Sequence, residues 1–204
     1  MRILRPHNVV IKRAFDIVVS LLLLVISLPV MLFVALGVLI SLGRPVLFRQ
    51  RRVGQGGRDF EMLKFRSMRD SDVSGEHWST GIDERKTRFG NFIRRFSLDE
   101  LPQLRNVLRG EMSLVGPRPE LAHFVEKFSS EIPDYEKRHL VKPGITGLAQ
   151  IRGLRGDTSL SERTSEDLSY IERWSLWLDI KILAMTPFRM LNKKEIYTKG
   201  EKKD

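Results

Sequence analysis

The side chains best placed to do chemistry are Asp99 and Glu100, which stand side by side between the basic pair Arg94-Arg95 and Pro102. After them Leu101, Leu104, Val107 and Leu108 recur at helical spacing, and Gly110 offers a stop. Proline costs nothing in a first helical turn, so the pattern predicts a helix beginning near Pro102, with both acids just before its N-terminus. Free N–H groups and the positive end of the helix dipole make that a place for anions, phosphates among them. A second reading stays open. Ser97 and Glu100 have the spacing of a capping box, which would make both acids ordinary first-turn residues. It would also put Pro102 beyond the first turn, where the ring clash and missing donor are costly.

Cations recur at other marked positions. Lys64 and Arg66 lie two apart in a β-prone run and so share a face, as an anion site or a solvated edge would. Arg118 lies between Pro117 and Pro119, which restrict its backbone and pre-position a guanidinium of the kind that binds phosphate bidentately. The stretch from Arg138 to Gln150 holds Pro143-Gly144 and Gly147 and reads as a turn-rich loop, with Arg152 and Arg155 following. The histidines His7, His77, His123 and His139 show no metal-ligand spacing and read as ordinary residues. There is no cysteine, which excludes disulfides and thiolate metal sites.

These residues need elements to hold them. The 204 residues suffice for one domain with a real core. With 35 Lys and Arg against 25 Asp and Glu, the net charge of +10 suits a phosphate-rich partner: nucleic acid, an anionic membrane or a nucleotide. From Ile17 to Gly43 no side chain is charged. That run of about 27 residues exceeds the ~20 needed to cross a bilayer. It is too long for a signal-peptide core and shows no small-residue cleavage site. Pro29 predicts a kink near its middle, after which each half is too short to span alone. Lys12 and Arg13 precede the run, and Arg44, Arg49, Arg51 and Arg52 follow it. Basic flanks mark the cytoplasmic side. A broken helix that enters and leaves on one face satisfies both flanks, and a kinked spanning helix is the alternative.

Further along, two β-prone runs, Pro45 to Val53 and Phe60 to Met68, surround a glycine cluster and predict a hairpin. Its glycines suit a turn, for no P-loop or dinucleotide fingerprint is present. Asp70 to Arg88 is polar and reads as a loop, of a length that often serves as a lid. Leu121, Phe124, Val125 and Phe128 form a core-facing stripe on a helix that Pro119 could open. From Glu166, Leu168, Ile171, Trp174 and Leu178 share one helical face, with Tyr170 and Trp177 beside them. That helix suits either a membrane interface or the domain core. The tail from Lys193 is charged and expected to fray.

Taken together, the chain resembles the bacterial sugar transferase family, monotopic polyprenol-phosphate phosphoglycosyl transferases that begin glycan assembly. The resemblance rests on Lys12-Arg13 and the apolar run, on Lys64 to Met68, on Ser97 to Leu104, on Ser113 to Pro119 and on Pro143 to Gln150. It covers almost the whole chain in order. One departure is Lys142, where the family commonly has arginine before Pro-Gly, so a bidentate contact there is lost. The resemblance implies an α+β, mainly helical fold: a re-entrant membrane helix (1–44) broken near Ser27 and Pro29, a small β-hairpin, a cytosolic catalytic domain (45–192) with interfacial amphipathic helices, and a charged tail (193–204). It looks like the minimal catalytic form, without the extra spanning helices and sensor domain of longer relatives. The implied location is the bacterial inner membrane, with the site on its cytoplasmic face.

The implied reaction moves a sugar 1-phosphate from a UDP-sugar to polyprenol phosphate and releases UMP. In the ping-pong form Asp99 is the nucleophile and makes a phosphosugar–aspartate. Glu100, with Asp99, would hold Mg²⁺ against the diphosphate. Lys64, Arg66, Arg95, Arg118 and Arg138 are the candidates for neutralising phosphate charge. The two acids could exchange roles. The expected partners are the UDP-sugar, polyprenol phosphate and membrane lipid, with nucleic acid not expected and a homodimer left open. The rival readings are a membrane-tethered basic module that binds nucleic acid or lipid without catalysis, and a spanning enzyme with a direct ternary mechanism. The rival module has no need of adjacent acids or a proline-flanked arginine. The sugar, the polyprenol length and the pathway are not legible.

Overall fold

A computed structural model of the chain describes residues 3, 5–69, 85, 87–154 and 158–191. The expected loop from Asp70 falls almost wholly outside these residues, as do Arg155 and the tail from Lys193.

The apolar run forms one helix, α1 (Pro6–Leu42), opened by a proline in its first turn and closed at Gly43, whose φ of 73° suits a residue without Cβ. The helix does not end at Pro29, which lies inside it. A proline removes one helical hydrogen bond but need not end the helix. α1 is long and apolar enough to cross a membrane. Its middle is bare: Leu22, Val25, Ile26, Leu32 and Phe33 are all exposed.

Both ends of α1 are docked. Near the start, Lys12 Nζ lies 2.7 Å from Asp179 Oδ2, and Arg13 donates to the carbonyls of Val107 and Leu108. Asp16 accepts from Ser113 Oγ and from the Leu114 amide. Near the other end, Val34 and Val38 are fully buried against Phe65 and Ile93.

Strands β1 (Leu47–Val53) and β2 (Asp59–Phe65) form the antiparallel hairpin, with Leu47 opposite Phe65 and Val53 opposite Asp59. Its turn is a 3-10 segment at Gln55–Gly57, where Gly56 and Gly57 take positive φ. Next come α2 (Arg88–Arg95), capped by the Thr87 hydroxyl, and α3 (Gln103–Arg109). Strand β3 (Ser113–Val115) follows, then α4 (Ala122–Glu131), a 3-10 segment at Tyr135–Leu140, and strand β4 (Gly144–Thr146). β3 and β4 pair in parallel, so part of the stretch expected as a turn-rich loop is a strand. Such short strands leave no two-residue periodicity to read. A Cβ on Gly144 would sit 2.1 Å from the Gly116 amide, so the two glycines permit this approach.

The chain ends its described part in α5 (Leu148–Ile151), α6 (Leu160–Arg173) and α7 (Leu176–Leu191). The stripe expected from Leu168 to Leu178 is thus divided between two helices. Tyr170, Ile171 and Trp174 go into the core with Leu104, Val107, Met112 and Ile182. Trp177 instead is exposed on α7, with Ile180 and Phe188 on the same face. In α4 only Phe128 of its apolar stripe is fully buried.

Candidate active site

Asp99 and Glu100 lie in a 3-10 turn, Leu98–Glu100, between α2 and α3. Ser97 before it takes the left-handed φ of 53°, and its side chain makes no cap bond, so the capping-box reading falls. Pro102 lies at the start of α3, as its tolerance for a first turn requires. α3 has only seven residues, so the charge around the acids comes from side chains more than from a helix dipole.

Three segments far apart in sequence converge here. Lys64, from the end of β2, donates to Glu100 Oε1 at 3.1 Å. Arg118, from the Pro-Arg-Pro segment after β3, donates to the same oxygen at 2.8 Å. Asp99 is buried beside them, at 8% exposure. The charges act on one another strongly. Burial pushes the Asp99 carboxyl up, the Glu100 charge adds to the rise, and Lys64, Arg94 and Arg118 only partly offset it. Burial also opposes a charged Glu100, but Arg118 and Lys64 outweigh it and hold Glu100 well below the ordinary carboxylate range. Burial lowers the Lys64 ammonium against the opposing pull of Glu100. The turn therefore holds two adjacent acids of opposite tendency, one firmly ionised and one retaining its proton more readily.

Arg118 is held from behind. Its carbonyl accepts from Arg138 Nη2 at 3.1 Å, and the Pro117 carbonyl accepts from the Gly144 amide at 2.8 Å. Arg52 approaches the Pro119 carbonyl at 3.4 Å and Glu120 at 3.5 Å. Arg138 itself is buried, bonded through Nε to Asp167 Oδ2 at 2.8 Å and lying 4.7 Å from the centre of the Tyr135 ring.

Of the five expected cations, Lys64 and Arg118 thus meet the acids. Arg138 supports Arg118 through its main chain. Arg66 is turned elsewhere: its guanidinium donates to the carbonyls of Leu42, Gly43 and Arg44, at the end of α1. β2 ends at Phe65, so the face shared by Lys64 and Arg66 is not maintained beyond it. Arg95 is exposed, its guanidinium 5.7 Å from the centre of the Phe96 ring. The neighbouring Arg94 is the member of the basic pair whose charge acts on Asp99. The pair itself was the signal for it, and only the helical phase chooses between the two. Asp167, Glu120 and Arg163, which complete the support behind Arg118, carry no local sequence signal.

Among the described residues no three His, Cys, Asp or Glu side chains gather as a metal cage. Mg²⁺ at phosphate sites needs only one or two carboxylates besides the phosphates and water. Both cations bind Glu100 through Oε1, and no hydrogen bond or ion pair among the described residues engages Oε2. The donor set is therefore compatible with Mg²⁺.

Comparison with known proteins places the chain among sugar transferases. A family model described as bacterial sugar transferase matches residues 7–193. A UDP-glucose:undecaprenyl-phosphate glucose-1-phosphate transferase of Xanthomonas campestris pv. campestris is 50% identical over 94% of this chain and 41% of its own length. A UDP-N-acetylgalactosamine-undecaprenyl-phosphate N-acetylgalactosaminephosphotransferase of Aeromonas hydrophila is 44% identical, over 89% of this chain and 44% of its own. The chain thus spans less than half the length of these two relatives. The exopolysaccharide production protein PSS of Rhizobium leguminosarum bv. phaseoli is 43% identical over 88% of this chain and 94% of its own.

Proposed function

The chain belongs to the bacterial sugar transferase family, and on that premise we propose that it transfers a sugar 1-phosphate from a UDP-sugar to polyprenol phosphate and releases UMP. The observation that carries this reading is the buried Asp99 beside a Glu100 clamped by Lys64 and Arg118. Once ionised, a carboxylate of raised pKa is more basic and so a better nucleophile than an ordinary one, and the cations beside it suit a diphosphate.

In the first step an Asp99 oxygen attacks the β-phosphorus of the UDP-sugar. The bond from that phosphorus to the bridging oxygen breaks, and the oxygen leaves with UMP. In the second step a phosphate oxygen of polyprenol phosphate attacks the same phosphorus. The bond to Asp99 breaks, which restores the carboxylate and gives a polyprenyl diphosphate sugar. Lys64 and Arg118 spread the charge of the diphosphate, and Arg138 holds Arg118 in place. Glu100, with Asp99, would hold Mg²⁺, which when bound neutralises phosphate charge.

The membrane course follows the same logic. One substrate is soluble and the other is a lipid, so the acids belong at the headgroup level. α1 enters and leaves on the cytoplasmic face and bends near Pro29. The support for this is that both its ends dock on the catalytic domain while its middle is bare, and both flanks are basic. The exposed face of α7 at Trp177, Ile180 and Phe188 lies in the interface. The bacterial inner membrane is the expected location.

A panel of UDP-sugars scored by UMP release, with polyprenol phosphate as acceptor, tests the reaction and identifies the sugar. Release with one or more donors, dependent on Asp99, is the expected result. No release with any donor would overturn the reading.

A further inference from the structure

Gln103 is buried at 2% exposure, and its amide Nε2 finds no hydrogen-bond partner among the described residues. A buried donor left unpaired is unfavourable, and its persistence calls for a role. Gln103 opens α3, three residues after Glu100 and four after Asp99. Leu101 and Pro102 between them take right-handed helical dihedrals, so the chain winds without a break from Leu98 into α3. Residues three and four apart on such a course are neighbours.

The same face is fixed further along. Asn106, three residues beyond Gln103, accepts from the Leu63 amide and donates to the Glu61 carbonyl. This face therefore packs on β2, where the next residue, Lys64, reaches Glu100. Gln103 stands between Asn106 and the acids, so the turn places its unpaired amide beside Asp99. The other donors there are committed, since Lys64 and Arg118 both bind Glu100 Oε1. No hydrogen bond among the described residues engages the Asp99 carboxylate. A side chain that only held Asp99 in place would bond it at rest. Gln103 does not, so the acceptor it suits is one that arrives on Asp99.

We infer that Gln103 is a catalytic residue of the transfer: its Nε2–H donates to a non-bridging oxygen of the phosphoryl group as that group passes to and from Asp99. This rests on the function proposed above. The amide gives up no proton and forms no covalent bond, so the bonds made and broken are those already stated. A donor unpaired at rest and paired in the transition state acts on kcat rather than on ground-state binding. The oxygen stays on phosphorus through both steps, so one donor serves both.

The test is Gln103→Met in the full chain, which keeps the length of the side chain and removes the donor. The substrates are the UDP-sugar that the panel identifies and its two analogues with sulfur in place of one non-bridging oxygen on the β-phosphorus. Sulfur accepts hydrogen bonds weakly, so one diastereomer should react more slowly with the unaltered chain. For Gln103→Met the inference predicts a kcat for UMP release lowered about a hundredfold, with the KM for the UDP-sugar little changed. The sulfur penalty of that diastereomer should shrink about tenfold, and the variant should melt no lower than the unaltered chain. An unchanged kcat would overturn the inference, as would the absence of a sulfur penalty in the unaltered chain. So would a lower kcat with the penalty intact, which would make Gln103 a structural residue. If Gln103→Met melts lower, Gln103→Asn, whose amide stands one methylene further back, is judged by the same penalty: its loss supports the inference and its retention overturns it. The reading of the reaction fails separately, if the unaltered chain releases no UMP from any UDP-sugar.

Discussion

Glu100 gathers two cations on one oxygen, and Asp99, one residue away, is pushed up first by its burial and then by the Glu100 charge, which those cations only partly offset. Because burial raises the Asp99 carboxyl, the folded chain holds that proton more tightly than the unfolded chain does. Stability from this group is therefore complete below the unfolded value of about 3.9 and is lost as pH rises through the folded value. Asp99→Asn should then be inactive yet melt higher than the unaltered chain near neutral pH, with the difference closing below about pH 4. Thermal melts of both proteins across that range check the sign. The same shift predicts that the acid limb of kcat/KM lies above the pH an ordinary aspartate would give, which a pH–rate profile measures. Much of this site was legible in the sequence, since Asp99, Glu100 and Arg118 sit in stretches whose prolines restrict the backbone. Lys64 needed the strand. The hold of Arg66 on the end of α1 was not legible, because two-residue spacing defines a face only while a strand lasts, and β2 stops at Phe65.

At the scale of elements, Arg118 is positioned by β3, β4 and α6 together. The link is the Arg138–Asp167 pair, whose side chains are 2% and 3% exposed. Removing one partner of such a pair leaves an uncompensated buried charge. Asp167→Ala should cost about 3–5 kcal/mol in chemical denaturation, while the double change Arg138→Met with Asp167→Leu should recover most of it. Turnover should stay low in the double variant, because the Arg118 carbonyl still lacks its donor. The hairpin was legible from its two β-prone runs and glycine turn. β3 and β4 were not, because three-residue strands show no period and their pairing depends on two glycines in separate stretches. The division of the Leu168–Leu178 stripe was hidden for a similar reason. Periodicity runs through Trp174, and only the tertiary bond from its indole to Asp179 shows why it turns inward.

At the scale of the whole molecule, an apolar helix is held at both ends by the domain that carries the acids. Its start is locked by Lys12 and Asp179, which are 167 residues apart, a pairing that no local pattern reveals. The re-entrant course predicts that tags at the N-terminus and after Arg44 are both protected from impermeant labels in intact cells. Labelling of either from outside would contradict it. The central claim is covalent transfer through Asp99, and one measurement tests it most directly. The chain is incubated, without acceptor, with its UDP-sugar labelled at the β-phosphate, and the protein is then examined by mass spectrometry and radiolabel. The account predicts release of UMP, a sugar phosphate attached to the peptide containing Asp99, and no adduct in Asp99→Asn. Normal turnover with acceptor but no adduct on Asp99 would contradict it.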